Sequence, residues 1–157
     1  MFILLPPSET KEFGTNVQKL KIPKLSFAQL NENRETLAQS LIALSKNPKK
    51  AIKILAISQK QIAEVEHNKI LLKAKTSSAI SIYSGVLFDA FDYQSLSKSA
   101  KSRADKSVYI SSALFGLLRL QDFIPHYRLS GDAILPKVGN VARSWNQPIE
   151  HAINEIN

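Results

Sequence analysis

Three short apolar runs, Phe2 to Leu5, Ala79 to Tyr83 and Val108 to Ser111, limit the folds open to this chain more than any other feature. Each has strand length, the last two are rich in β-branched or aromatic residues, and each gives way to small or polar residues. Helical patterns separate them, so the runs are expected to pair in parallel through crossover connections. The expected class is α/β, in the mixed α+β sense, with a short, largely parallel sheet and a long helical insertion between the first two strands. At 157 residues and 44% hydrophobic content, the chain is expected to form one domain around one core.

The insertion carries its own helix signals. Ser26 to Gln29 reads S-x-x-Q, a capping box with Leu25 and Leu30 as its hydrophobic staple. Phe27, Leu30, Arg34, Leu37, Leu41 and Leu44 then recur at three- and four-residue steps, Arg34 being the only polar break in the stripe. Asn47 is placed to cap a second helix, with Pro48 at its first position, where a missing N–H costs nothing. Ser58 to Gln61 repeats the S-x-x-Q signal, with Ile57 and Ile62 as staple, and predicts a third helix running towards Leu72. Further on, Leu96 to Ser107 reads as a polar helix feeding the third strand. Lys137 to Asn157 reads as a helix with a kink or restart at Pro148.

Charge is concentrated in the same insertion. Residues 1–75 hold 13 Lys plus Arg against 6 Asp plus Glu, while 76–157 hold 8 against 7. Lys49, Lys50, Lys53, Lys60, Lys69 and Lys73 fall on the helix–turn–helix pair, which makes it the candidate nucleic-acid surface. Such lysines contact phosphates rather than bases, so the DNA binding they predict is sequence-independent; a solvated lysine face is the other reading of the same pattern. Cysteine is absent, which excludes disulfides, thiolate metal sites and thiol nucleophiles. The apolar start stops at Pro6, too short for a signal segment or a membrane span, so a cytoplasmic protein without a membrane partner is expected.

Ligands of parallel sheets collect beyond the carboxyl ends of strands, where Glu9 and Lys11, Ser84 and Gly85, and Ser112 are found here. A flexible cation with hydroxyls and small residues suits an anionic group such as phosphate, although the same residues also build ordinary strand-to-helix turns. Between Ser111 and Asp132 the chain packs Arg119, Asp122, Tyr127 and Arg128 among apolar residues. Two arginines can clamp a planar anion and a tyrosine can stack on a base; equally, Arg119 and Asp122 can form a plain helical ion pair. The candidate cleft is therefore Lys11, Ser112, Arg119, Tyr127 and Arg128, with Glu9 and Asp122 as the candidate acid or base of any reaction. His67, His126 and His151 show no metal-ligand spacing, and no Walker loop or G-x-G-x-x-G occurs, so no metal and no cofactor are expected.

These residues carry a resemblance. MFILLPPSETK at the N-terminus, IYSGVLFDAFD at Ile82 to Asp92 and SSALFGLLRLQDFIPHYRL at Ser111 to Leu129 resemble the YaaA family of peroxide stress response proteins, also grouped as an uncharacterised protein family. The family's motifs fall on Pro7, Glu9 and Thr10, on Tyr83, Gly85 and Phe88, on Ser112, Phe115, Gly116, Arg119 and Asp122, and on Tyr127, Arg128 and Leu129. Trp145, Ile149 and Asn154 fit its tryptophan helix. The chain departs from the pattern at Ala113, Leu120 and His126, where glycine, proline and proline are usual.

The resemblance implies a cytoplasmic protein of mixed α/β fold that protects against hydrogen peroxide, partly by limiting reactive iron, and binds DNA through a helix-hairpin-helix element and a positive cleft. It also implies a chain that lacks the family's C-terminal part, with self-association or the missing half as a partner. With no cysteine and no haem or metal signature, protection is expected to be indirect rather than by scavenging. An enzyme acting on a nucleotide or modified base in the strand-end cleft, and a non-catalytic interaction protein, are the alternatives; catalysis is left open, leaning towards none.

Overall fold

A computed structural model of the chain describes residues 1–156. In chain order the elements are β1 (Ile3–Leu5), α1 (Asn31–Ser45), α2 (Pro48–Leu55), α3 (Ala63–Lys69), β2 (Thr76–Ser78), α4 (Ala79–Ile82), α5 (Val86–Phe91), α6 (Lys98–Ser107), β3 (Val108–Ser112), β4 (Gly116–Arg119), β5 (Phe123–Pro125), β6 (Ile134–Leu135), β7 (Gly139–Asn140), α7 (Val141–Ser144) and α8 (Asn146–Asn154). The fold is mixed α/β. Its centre is β3, paired in parallel with β1, Ile3 opposite Val108 and Leu5 opposite Ile110, and antiparallel with β4, Tyr109 opposite Arg119 and Ser112 opposite Gly116. Two small antiparallel pairs, β2–β5 and β6–β7, lie apart from that sheet.

The apolar stripe of α1 forms the helical side of the core: Leu37, Ala38, Leu41 and Leu44 are buried against a cluster that includes Ile110, Leu117 and Trp145. The second helix starts as its residues predict, with Asn47 Oδ1 accepting from Lys50 N at 3.2 Å and Pro48 at the first position. The Ser58–Gln61 capping box also forms, on a 3₁₀ turn at Gln59–Gln61 that leads into α3. The polar helix α6 runs directly into β3.

Four expectations are corrected. Among the described residues the parallel pairing is confined to β1–β3, and the other ladders are antiparallel. The run from Ala79 to Tyr83 is a helical turn, α4, preceded by the real strand at Thr76–Ser78. The N–H groups of Ala79 and Ile80 donate to Asp122 O and Leu120 O, and a short apolar run does not by periodicity distinguish a strand from a buried turn of helix. Ser26 does not cap α1, which starts at Asn31: its N–H and hydroxyl both donate to Asp122 Oδ1, at 3.0 and 2.9 Å, and Gln29 is engaged by Glu155. The C-terminal helix begins at Val141 and breaks at Trp145, not at Pro148, which sits in the first turn of α8. Asn157, the last residue of that expected helix, lies outside the described residues.

Candidate functional site

The carboxyl ends of the parallel pair meet the segment that follows β1. Beyond Pro6 and Pro7 the chain lies alongside residues 82–84, with Lys11 bridging Tyr83, Glu12 N donating to Ile82 O at 2.7 Å and Ser84 N donating to Thr10 O at 3.1 Å. This places Lys11 over two aromatic rings, its Nζ 4.4 Å from the Tyr127 centroid and 5.5 Å from that of Tyr83. Beneath the rings, three buried hydroxyls close a triangle: Tyr83 to Ser112 at 2.8 Å, Tyr83 to Tyr127 at 2.6 Å and Ser112 to Tyr127 at 2.8 Å. Ser112 Oγ also accepts from Phe115 N at 3.0 Å, so the turn after β3 holds the serine in place.

Burial sets the electrostatics here. It lowers the Lys11 pKa to about 8, helped by the positive charge of Arg128 and opposed by Glu64 and Glu9. Burial likewise raises Tyr83 well above, and Tyr127 above, the ordinary phenolic value, so both remain neutral donors and acceptors at neutral pH. Arg128 stands at the solvent edge, its Nη2 3.2 Å from Glu9 Oε2. Its backbone is fixed from α3: the buried Asn68 accepts from Arg128 N at 2.9 Å and donates to Arg128 O at 2.8 Å. Next to Lys11 and Tyr83, the hydroxyl of Ser84 is buried with no hydrogen-bond partner. A buried hydroxyl left unpaired is a polar group with a hydrogen bond still to make.

Glu9, Lys11, Ser112, Tyr127 and Arg128 therefore lie together. Arg119 and Asp122 lie elsewhere. Arg119 pairs with Tyr109 at the other end of β3, about 10 Å from Ser112 at strand spacing, and its guanidinium lies over the Tyr109 and Phe27 rings at 5.3 and 5.7 Å. It lines a separate cavity of about 770 Å³ with Met1 and Phe27. Asp122 is buried and committed: Oδ1 accepts both bonds from Ser26, and Oδ2 accepts from Arg119 N at 2.9 Å.

Lys49, Lys50, Lys53, Lys60, Lys69 and Lys73 are all exposed. Among the described residues only Lys69 of the six has an ion-pair partner, Glu66 at 3.6 Å, an exposed pair worth about 0–1 kcal/mol. Sequence reasoning did not find Asn68, because nothing in its spacing marks a side chain that fixes a backbone 60 residues away, whereas Ser84 is among the residues placed at expected strand ends. It also read the histidines as unconnected; His67 and His126 are neighbours, with ring centroids 5.4 Å apart.

A family model described as peroxide stress protein YaaA matches residues 1–157. The chain is 40% identical over 161 residues to a UPF0246 protein of Corynebacterium glutamicum, covering 100% of this chain and 63% of that protein. It is 46% identical over 136 residues to a UPF0246 protein of Corynebacterium efficiens, covering 87% and 53%, and 38% identical over 156 residues to one of Streptomyces coelicolor, covering 99% and 60%. The chain thus spans less than two thirds of the length of these relatives. It belongs to the peroxide stress protein YaaA family.

Proposed function

We propose that this member of the YaaA family serves in the response to peroxide by binding DNA through its lysine-bearing helices, protecting indirectly rather than by scavenging. With no cysteine in the chain, a thiol peroxidase cycle is excluded. The observation that carries the reading is the state of the six lysines. They are exposed on α2, α3 and the turns beside them, five of them free of carboxylate partners among the described residues, on helices whose starts are capped by Asn47 and Ser58. Lysines held in this way displace counterions from phosphates without reading bases. The Lys11–Arg128 corner is tied to α3 through Asn68 and offers two further cations to a phosphate or strand end. Fluorescence anisotropy with labelled duplexes of unrelated sequence tests it: similar affinities for all of them at about 50 mM salt are expected. Undetectable binding to every duplex and to single strands at that salt contradicts the proposal.

A second reading rests on Lys11. An amine lowered to about 8, seated over two tyrosine rings and near a serine hydroxyl, has the form of a proton-transfer group in a nucleotide or modified-base enzyme, with exposed Glu9 at its rim. Asp122, whose oxygens are engaged by Ser26 and the Arg119 backbone, is not carried into it. Thermal-shift measurements separate the cases. Stabilisation by a nucleotide but not by its nucleoside supports this reading, and no shift with either removes it.

A further inference from the structure

We propose that Glu64, His67 and His126 form a binding site for a divalent first-row transition ion of the zinc or cobalt(II) type. Glu64 and His67 are three residues apart on α3 and so share one face of the helix. His126, just past β5, reaches the same point from the sheet side. Glu64 Oε2, His67 Nδ1 and His126 Nε2 all lie within 4.8 Å of one another, with Oε2 2.7 Å from Nε2 and 3.8 Å from Nδ1. Donor atoms of a tetrahedral zinc site stand about 3.3 Å apart, a spacing these two distances straddle. Binding an ion there moves the Glu64 carboxylate off His126 Nε2 and draws the two ring nitrogens, within 4.8 Å of one another, closer together.

Two features go beyond proximity. The His126 ring faces an acceptor at each nitrogen, Nε2 the Glu64 carboxylate and Nδ1 the Glu12 carbonyl oxygen at 3.3 Å. A neutral imidazole has one N–H to give. If Nδ1–H donates to Glu12, the Nε2 lone pair points at a carboxylate and needs a cation between them; a carbonyl-anchored imidazole is also how protein metal ligands are commonly oriented. The second feature is His67 Nδ1, which is buried and has no hydrogen-bond partner although it points at the same carboxylate. A metal ion satisfies both nitrogens together, whereas a proton shared by Glu64 and His126 leaves His67 unexplained.

The rings are fixed before any ion arrives. Phe13 stacks on His126 at 4.2 Å and meets His67 edge-on at 4.8 Å. A cavity of about 170 Å³ bounded by Phe13, His67, His126 and Lys75 adjoins both histidines. Two imidazoles and one carboxylate favour zinc, cobalt, nickel or iron(II) over magnesium or calcium. Since Asn68 on the same helix fixes Arg128, an ion here ties α3 to the strand that carries the Lys11–Arg128 corner. This proposal stands apart from the DNA reading, and either can fail alone.

The test uses the untagged full chain, titrated with zinc by calorimetry and with cobalt(II) by visible absorption. One equivalent should bind, with a d–d spectrum of low coordination number, and magnesium should give no heat. His67→Ala, at a ring about a third exposed, should weaken zinc by more than about a hundredfold, beyond the roughly 10–100-fold that an outer-shell change costs. Glu64→Gln should do the same, and His151→Ala, on the exposed face of α8, should change nothing. Absence of binding by the wild-type chain overturns the proposal, as does zinc affinity unaltered in both His67→Ala and Glu64→Gln.

Discussion

Arg34 is the polar residue in the apolar stripe of α1, and its burial links that helix to the site. No part of it is exposed: Nε donates to Phe115 O and Nη2 to Leu117 O, each at 2.8 Å, and Nη1 donates to Asn31 Oδ1 at 2.9 Å. Burial lowers its pKa to about 10, opposed by the negative charge of Asp122, so the guanidinium stays charged at neutral pH, with carbonyl oxygens as its hydrogen-bond partners. The two carbonyls flank Gly116, next to the turn that sets Ser112. Arg34→Met should therefore cost about 3 kcal/mol or more in urea denaturation, because two buried carbonyls lose their donors. Arg34→Lys should not restore that loss, since one ammonium cannot span both oxygens as the planar fork does.

Lys11 predicts a pH dependence of stability. Unfolded, the amine holds its proton to about its ordinary 10.5; folded, buried and repelled by Arg128, with Glu64 and Glu9 opposing, it releases it near 8. Between those values the unfolded state binds more protons, so stability rises with pH. Above its ordinary 10.0 the buried Tyr83 acts in the opposite sense, since the unfolded phenol ionises and the folded one does not. The difference in unfolding free energy between wild type and Lys11→Met should thus shift in favour of wild type from about pH 8 to about pH 10. A constant difference across that window rules out the buried, charged lysine.

At the scale of elements, the turn between α2 and α3 carries an unusual cap. Ala56 ends α2 in the left-handed region, φ 52, with its N–H and that of Ile57 donating back into the last turn. An alanine there is strained relative to glycine by about 1 kcal/mol, so Ala56→Gly should stabilise the chain by roughly that amount while leaving the hairpin geometry intact. Thermal unfolding checks it, and a destabilised Ala56→Gly contradicts the cap.

Elements with local signals were the legible ones. Asn47-Pro48 and Ser58-x-x-Gln61 start helices with side chains that bond within their own turn, and the chain shows both. Ser26 carries the same letters, but a buried carboxylate 96 residues away competes for its hydroxyl and wins. Ala79–Ile82 failed as a strand for a related reason, since its N–H partners lie in the turn before β5. In the site, Lys11, Ser84 and Ser112 were marked because strand ends gather ligand groups, and Tyr127 and Arg128 because they stand as polar residues among apolar ones. Asn68 and the Glu64–His126 pair could not be found, because their roles exist only once α3 packs beside the segment that follows β5. The Glu64-x-x-His67 spacing was the one available hint.

Over the whole molecule, the formal charge of +8 is not a diffuse property. It is concentrated in residues 1–75, on helices whose buried faces, Ala51, Leu55 and Val65 among them, are committed to the core while the lysines stay in solvent. The second half of the chain supplies β3 and β4 of the sheet, the hydroxyl triangle and Arg128. Association with a polyanion should therefore be governed by the lysine face and fall steeply as salt rises. The most direct measurement is the slope of log Kobs against log salt for a labelled duplex, in wild type and in the Lys49→Gln, Lys50→Gln, Lys53→Gln triple variant. Those side chains make no fold contacts that the substitution removes, because the cap of α2 uses the Lys50 backbone N–H. Each phosphate contact contributes about 0.9 to the slope, so the triple variant should be shallower by about 2.7. An unchanged slope, or a wild-type slope near zero, contradicts a DNA-binding lysine face.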